Sequence, residues 1–383
     1  MRTLSTLAFL FSLTYLTAKA QPLGPLAPPM DPQELVTGDA QIVTTAEQRA
    51  AVVELMGRAV DRYSMHAKTS PAHVLQIAFT ATASTSFPAG SGQLRETWIS
   101  GQNWRWDATL GNYSLLRISS NGVAYDQQGP RPVPLRLKMI SNAVLAPIQS
   151  AAPRASVIRT ASVSRNGTQL TCILLSFPGG QQINAQQNTA TAPTGRRQWD
   201  ETEYCIDPVT GLLNVFSEVP GMQVFYDYSN ALKFHDRTLP GSVTISESGS
   251  PVVQAQLTSI EDTNPTDVTP FTPTAQMKAL GPAIQLFLPT RMRHFIRSTS
   301  IQPGSLIESS IVHVTMDEKG NVLESENLQT SSLSAQALEA VTHNQFFALA
   351  LPPGAPPRER EAYVRVEFVP AAPQAGWNFV HKP

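Results

Sequence analysis

Short extended runs separated by two- or three-residue turns of Gly and Asn fill the first two thirds of this chain and restrict it to an antiparallel sheet. Gly101-Gln102-Asn103, Gly111-Asn112 and Asn121-Gly122 stand between runs near 93–100, 104–109, 114–119 and 123–127. Gly and Asn accept the positive φ angles of tight hairpins, so consecutive runs of this kind are neighbours in one sheet. An earlier run near 74–83 opens the series. Runs near 156–164, 170–177, 199–206, 212–218, 222–228, 241–246 and 252–260 continue it, with Asp207-Pro208-Val209-Thr210-Gly211 as another turn. Charged residues are 15% of the chain, and Ser, Thr, Gln and Val abound, as in exported sheet proteins.

Two helices are expected among these strands. Thr45, three residues before Gln48, offers a capping box, and Val52, Leu55, Met56, Ala59 and Tyr63 then fall on one face. Ile140, Val144 and Ile148 repeat at four within a second helix expected over Met139 to Gln149.

The first 20 residues read as an export signal. One basic residue precedes an apolar run from Leu7 to Leu16, and Ala18-Lys19-Ala20 is placed like a cleavage site. The run is short for the roughly 20 residues of a membrane span, so a cleaved signal is favoured over an uncleaved anchor. Without Arg2 and Lys19 the chain keeps 26 basic against 29 acidic residues, a balance that argues against nucleic acid as a partner. Residues 21–43 form a Pro-rich leader. Cys172 and Cys205 each lie in an expected strand, and an oxidising compartment favours a disulfide between them over two separate thiols. That bridge would contribute roughly 3 to 4 kcal/mol in the chain-entropy model.

The last quarter carries a second pattern. Val312 and Val314 alternate up to a turn at Asp317-Glu318-Lys319-Gly320, and Val322-Leu323 opens a partner strand. Ser332 is a candidate N-cap for a helix whose apolar face holds Leu333, Ala337, Leu338, Val341 and Phe346. Tyr363, Val364, Val366 and Phe368 then mark a final strand. Between the two patterns, residues 262–301 read as a linker with a short helix, on the strength of Pro265, Pro270 and Pro273 and the Gly281-Pro282 break. Arg291, Arg293, His294 and Arg297 read as a solvated basic face of that linker, with an anionic lipid surface as the alternative.

The order strand, strand, helix, strand over 302–370, with Val-x-Val, Asp-x-x-Gly, Ala-Leu-x-Ala-Val and a closing Val-x-Val-x-Phe, resembles the C-terminal domain of the TonB family. The up-and-down runs of 44–261, with Trp104-Arg105-Trp106, Asn121-Gly122-x-x-Tyr125 and the turn at Asp207, are similar to the LolA/LolB-like half-barrel. These resemblances imply a mainly β chain with an α+β element: an antiparallel half-barrel with covering helices, then a small β-β-α-β domain and a tail over 371–383. The TonB likeness implies an envelope or outer-membrane protein, such as a transporter, as partner, captured by strand addition. Carried onto this chain, the edge that would accept it is Tyr363, Val364, Arg365, Val366, Glu367 and Phe368. The half-barrel likeness implies an alternative, a periplasmic carrier of lipid or another apolar ligand.

No catalytic or metal signature accompanies these patterns. The seven His residues show no i,i+4 pair, and neither a phosphate loop nor a nucleophile elbow occurs. Asp107, Asp126, Glu201 and Glu203 are the carboxylates that could face one another across strands. Trp98, Trp104 and Trp106 are the candidate apolar-ligand face, although core filling is the favoured reading of the three. The expectation is therefore an exported, non-enzymatic envelope binding protein without cofactor, an uncharacterised enzyme being the third reading.

Overall fold

The computed structural model describes residues 35–36, 40–67, 69–145, 147–148, 155, 157–176, 197–298, 308–328, 333–353 and 355–370. The expected signal, most of the leader, the N-cap at Ser332 and the tail lie outside the described residues.

After β1 (Gln41–Ile42) comes α1 (Ala46–Tyr63), whose N-terminus is closed by the capping box: Gln48 N–H donates to Thr45 Oγ1, and Gln48 Oε1 accepts from Thr45 N–H. Such a cap contributes about 1 kcal/mol. Val52, Leu55, Met56, Ala59 and Tyr63 are its buried face, as their spacing predicts. The strands β2 (His73–Ala81), β3 (Gly90–Ser100), β4 (Asn103–Leu110), β5 (Tyr113–Ser120) and β6 (Val123–Asp126) then form one antiparallel meander.

Helix α2 (Leu135–Leu145) starts four residues before the expected Met139 and is buried almost all round, including Arg136 and Lys138. The apolar spacing alone misses its first turn because that turn spends its charged side chains on buried partners. A second antiparallel meander follows: β7 (Val157–Arg165), β8 (Thr168–Ser176), β9 (Glu201–Ile206), β10 (Leu213–Ser217) and β11 (Met222–Asp227). A separate hairpin, β12 (Leu232–Phe234) and β13 (Arg237–Leu239), precedes β14 (Ser242–Glu247) and β15 (Ser250–Asp262). β14 pairs with β11 and β15 pairs with β2, which joins the two meanders into a single 13-stranded sheet. One core takes in residues of the sheet together with residues of α1 and α2. Cys172 and Cys205 are direct cross-strand partners on β8 and β9 and form a disulfide.

The end of the leader is tied down, since β1 pairs with β7 and Val36 and Ala40 are buried with Leu170, Leu174 and Val215.

The expected linker is largely packed. Phe271 and Met277, the latter on α3 (Ala275–Leu280), are buried with Ile118. β16 (Gln285–Leu286) and β17 (Thr290–Ser298) are strands of a second sheet with β18 (Glu308–Met316), β19 (Val322–Asn327) and β20 (Arg358–Pro370), while α4 (Ser334–Thr342) lies between β19 and β20 in the chain. Leu333, Ala337, Leu338, Val341 and Phe346 share one core with Met292 and Ile296 of β17. Gly320 has φ +86°, and a β-carbon there would overlap the Phe346 carbonyl, so the turn and its packing both require glycine.

The expected accepting edge is not an edge. β20 pairs antiparallel with β18 on one side and parallel with β17 on the other, from Thr290↔Ala362 to Ser298↔Pro370. Tyr363 through Phe368 are buried in mid-sheet because the residues expected as linker form the strand that covers them. Nor are Arg291 and Arg293 a solvated face. Arg291 Nη2 donates to the Glu218 carbonyl at 2.5 Å and Thr202 Oγ1 at 2.6 Å, and the Arg293 guanidinium lies 5.7 Å from the Trp199 ring centre. Among the described residues, no helix is long and apolar enough to cross a membrane.

Candidate functional site

Strand alternation and hairpin register together place a row of particular side chains on one face of the sheet. Leu94, Glu96 and Trp98 alternate inward on β3. In register, Leu75, Glu96, Trp106, Arg117 and Asp126 form one row across β2 to β6, and His73, Trp98, Trp104 and Ser119 form the row beside it. Side chains in a cross-strand row sit about 5 Å apart, so each row is a continuous surface.

These rows form one wall of a cavity of about 780 Å³. Trp104, Trp106, Arg117 and Ser119 come from the sheet, Lys138, Ser141, Asn142 and Leu145 from α2, and Ile284, Leu286, Phe287 and Leu288 from the segment around β16. That segment spans the gap between the two sheets: Ala283 N–H donates to the Ala124 carbonyl at 2.8 Å and Gln285 N–H to the Pro357 carbonyl at 2.9 Å. Phe287 and Leu288 remain about half exposed at its rim. Trp104 and Trp106, with ring centres 5.0 Å apart, line the cavity, as the alternation predicts. Trp98 is buried instead, its ring stacked against both His66 and His73.

A charged cluster lies behind the tryptophans. Glu96 is fully buried, and its carboxylate accepts from Trp106 Nε1–H at 2.7 Å and meets His66 Nε2 at 3.0 Å and His73 Nε2 at 3.4 Å. Burial alone would raise the Glu96 pKa. The His66 charge and hydrogen bond, with those from His73, outweigh it and hold the carboxyl down at about 2. Burial would lower the His66 pKa, but Glu96 raises it above the ordinary value. His66 keeps 28% of its side chain exposed and lines the cavity. No sequence motif marks this cluster, because His66, His73 and Glu96 are close only through hairpin register; a Glu at an inward position between Leu94 and Trp98 is the one signal the sequence carries.

The other expected groups are accounted for differently. Asp126 takes Arg117 Nε–H and Nη2–H at 2.7 and 2.8 Å, Asp107 takes Arg105 at 2.8 Å on both oxygens, and Glu201 takes Arg159 at 2.7 Å on both. Glu203 lies 3.3 Å from Arg197. Each carboxylate thus has an arginine partner, although burial and the charge of Glu201 together raise the pKa of Glu203. Cys172, Cys205 and Glu203 are the group whose atoms lie closest to a metal-binding spacing among the described residues, but both sulfurs are in the disulfide.

A seam of buried charges fixes the C-terminal sheet against α2 and β14. Arg136 donates to Glu247 at 2.6 Å, Lys138 pairs with Glu359, and Leu135 N–H donates to Glu324 at 2.9 Å. His313 donates from both ring nitrogens, to Glu247 at 3.2 Å and Glu361 at 2.7 Å. Burial works against its charge, but the hydrogen bonds to these carboxylates prevail and push its pKa up to about 9.

No family model and no curated protein matches the chain. Solved structures similar to it include a LolA superfamily protein from Nitrosomonas europaea, at 9% identity and a TM-score of 0.36 over 60% of this chain and 99% of that one. A putative outer membrane lipoprotein-sorting protein domain from Vibrio parahaemolyticus aligns at 7% identity and a TM-score of 0.32, over 55% and 92% of the two chains. A DUF1329 family protein from Desulfovibrio piger aligns at 8% and 0.33, over 57% and 93%.

Proposed function

We propose that this chain is an exported carrier or binding protein of the cell envelope whose cavity takes an apolar ligand. The observation that carries this reading is the cavity itself. At about 780 Å³ it falls within the range of small-molecule sites, and its facing walls are tryptophan on the sheet side and Leu145, Ile284, Leu286 and Phe287 on the other. The exposed Phe287 and Leu288 at the rim suit an apolar ligand that enters past them. Export rests on the character of residues 1–20 and on the cross-strand cysteine pair. For 302–370 the TonB-like reading is kept as one of fold, supported by the β18, β19, α4, β20 order. Capture of an envelope partner on β20 is set aside, because β17 occupies that side of the strand.

The full chain titrated with diphenylhexatriene, a neutral apolar fluorophore, should show saturable binding. Trp104→Asp and Leu286→Asp, from facing walls, should each weaken it by about tenfold or more, since each places a charge against apolar ligand surface. Absence of saturable binding by the folded wild-type chain would overturn the reading.

A further inference from the structure

We propose that His66 is the recognition point for the acidic head of the ligand, so that the cavity selects single-chain carboxylic acids over their neutral esters. This deepens the carrier reading above and rests on it.

Most polar groups in the cavity wall are already committed. Arg117 is held by Asp126, Lys138 by Glu359 and Glu361 by His313. Ser119 Oγ donates to the Gln102 carbonyl and Ser141 Oγ to the Lys138 carbonyl. His66 differs. Its Nε2 sits 3.0 Å from both oxygens of Glu96, and Nδ1 makes no hydrogen bond among the described residues. The ring is also fixed in place, stacked on Trp98 with centres 5.7 Å apart. A partly exposed imidazole with one nitrogen on a buried carboxylate and the other uncommitted is a proton acceptor waiting for an acid.

The chemistry then discriminates between ligands. The fixed charge of Glu96 favours the imidazolium form, which is why His66 takes up a proton more readily than a free histidine. A carboxylic acid entering the cavity gives its O–H proton to neutral Nδ1. The product is a carboxylate against an imidazolium whose other N–H is on Glu96, and no further reactant is needed. When His66 is already protonated, Nδ1–H donates directly to the carboxylate. An ester has no proton to give and no charge to pair, so it gains only the apolar contacts with Trp104, Trp106 and the facing wall. The groups facing His66 are Glu96 on β3, His73 on β2 through the shared carboxylate, and in the rest of the cavity wall Arg117, Lys138 and Glu361, each held by its own partner.

Hexadecanoate and methyl hexadecanoate should be compared as competitors of diphenylhexatriene on the full chain. The wild type is expected to bind the acid about tenfold more tightly than the ester, the scale of one charge-assisted hydrogen bond. His66→Gln should erase that preference by weakening the acid about tenfold more than the ester, with circular dichroism confirming the fold. The wild-type preference should also fall as pH rises through the titration of His66 above its ordinary value, a trend absent from His66→Gln. Equal wild-type affinity for acid and ester, or a preference that survives in His66→Gln, overturns the assignment while leaving the carrier reading intact. A chain that binds neither competitor nor fluorophore overturns both.

Discussion

Glu96 and Glu247 are both buried carboxylates held by histidine, and they differ in what stands on the far side of the ring. His313 closes its second nitrogen on Glu361, and Arg136 supplies a further positive charge to Glu247, so that cluster is complete within the chain. His66 lines the cavity with 28% of its side chain exposed. A cluster whose histidine is wholly buried has to be balanced internally, because leaving one member unpaired in a low dielectric is costly. A half-open cluster tolerates an uncommitted atom, since water or a ligand can meet it. The first arrangement fixes how two sheets sit against each other; the second makes a site.

Removing the histidine from the sealed cluster gives the largest expected effect. His313→Leu strips Glu361 of its ring partner and Glu247 of one of two cations, and a broken buried pair of this kind costs about 3 to 5 kcal/mol. Denaturant unfolding monitored by tryptophan fluorescence measures the loss. A cost under about 1 kcal/mol would mean that water reaches the seam and that the two clusters are alike.

Each cluster pairs a raised histidine with a lowered carboxyl, and the two groups shifted furthest, His313 and Glu96, should fail at opposite ends of the pH scale. His313 has a folded pKa of about 9, above its unfolded value, so its contribution is complete below about pH 6.5 and is lost as pH rises through 9. Over that window the loss is roughly 3 kcal/mol. Glu96 has a folded pKa of about 2, below its unfolded value, so its contribution is complete above about pH 4.5 and is lost as pH falls toward 2. That loss is again roughly 3 kcal/mol. Stability measured from pH 2 to pH 10 should flatten on the alkaline side in His313→Leu and on the acid side in Glu96→Gln. An alkaline limb unchanged in His313→Leu, or an acid limb unchanged in Glu96→Gln, contradicts the assignment of charges.

Which of these features the sequence discloses follows from how local each one is. Hairpins announced by Asn121-Gly122 or Gly111-Asn112, the capping box of α1 and the apolar face of α4 depend on residues within a few positions of one another, and all are present. The wall of Trp104 and Trp106 is legible for the same reason, because alternation within a single strand decides it. The charge clusters are not local. Glu247 and His313 are 66 residues apart, and the pattern by which Arg136 and Lys138 enter a buried helix looks, in sequence, like two solvated cations. The strand β17 is the instructive error. Its arginines give it the character of a solvated linker, yet they reach Glu218, Thr202 and Trp199 while Met292 and Ile296 enter the small core, so tertiary partners override local composition.

The smallest expected effect sharpens the comparison most. His66→Gln removes an imidazole that is partly in water already, and Glu96 retains Trp106 Nε1–H and His73 Nε2 as partners. The carboxylate is therefore not orphaned, and the glutamine amide supplies a donor of its own. The cost in stability should be about 1 to 2 kcal/mol, because the amide replaces the hydrogen bond to Glu96 but not the imidazolium charge, in the same denaturant titration that His313→Leu fails by several. A histidine kept for its structural role would show the reverse, with stability falling and ligand preference untouched. A loss in His66→Gln as large as that in His313→Leu would place both histidines in the same structural class and leave the cavity without its distinguishing polar group.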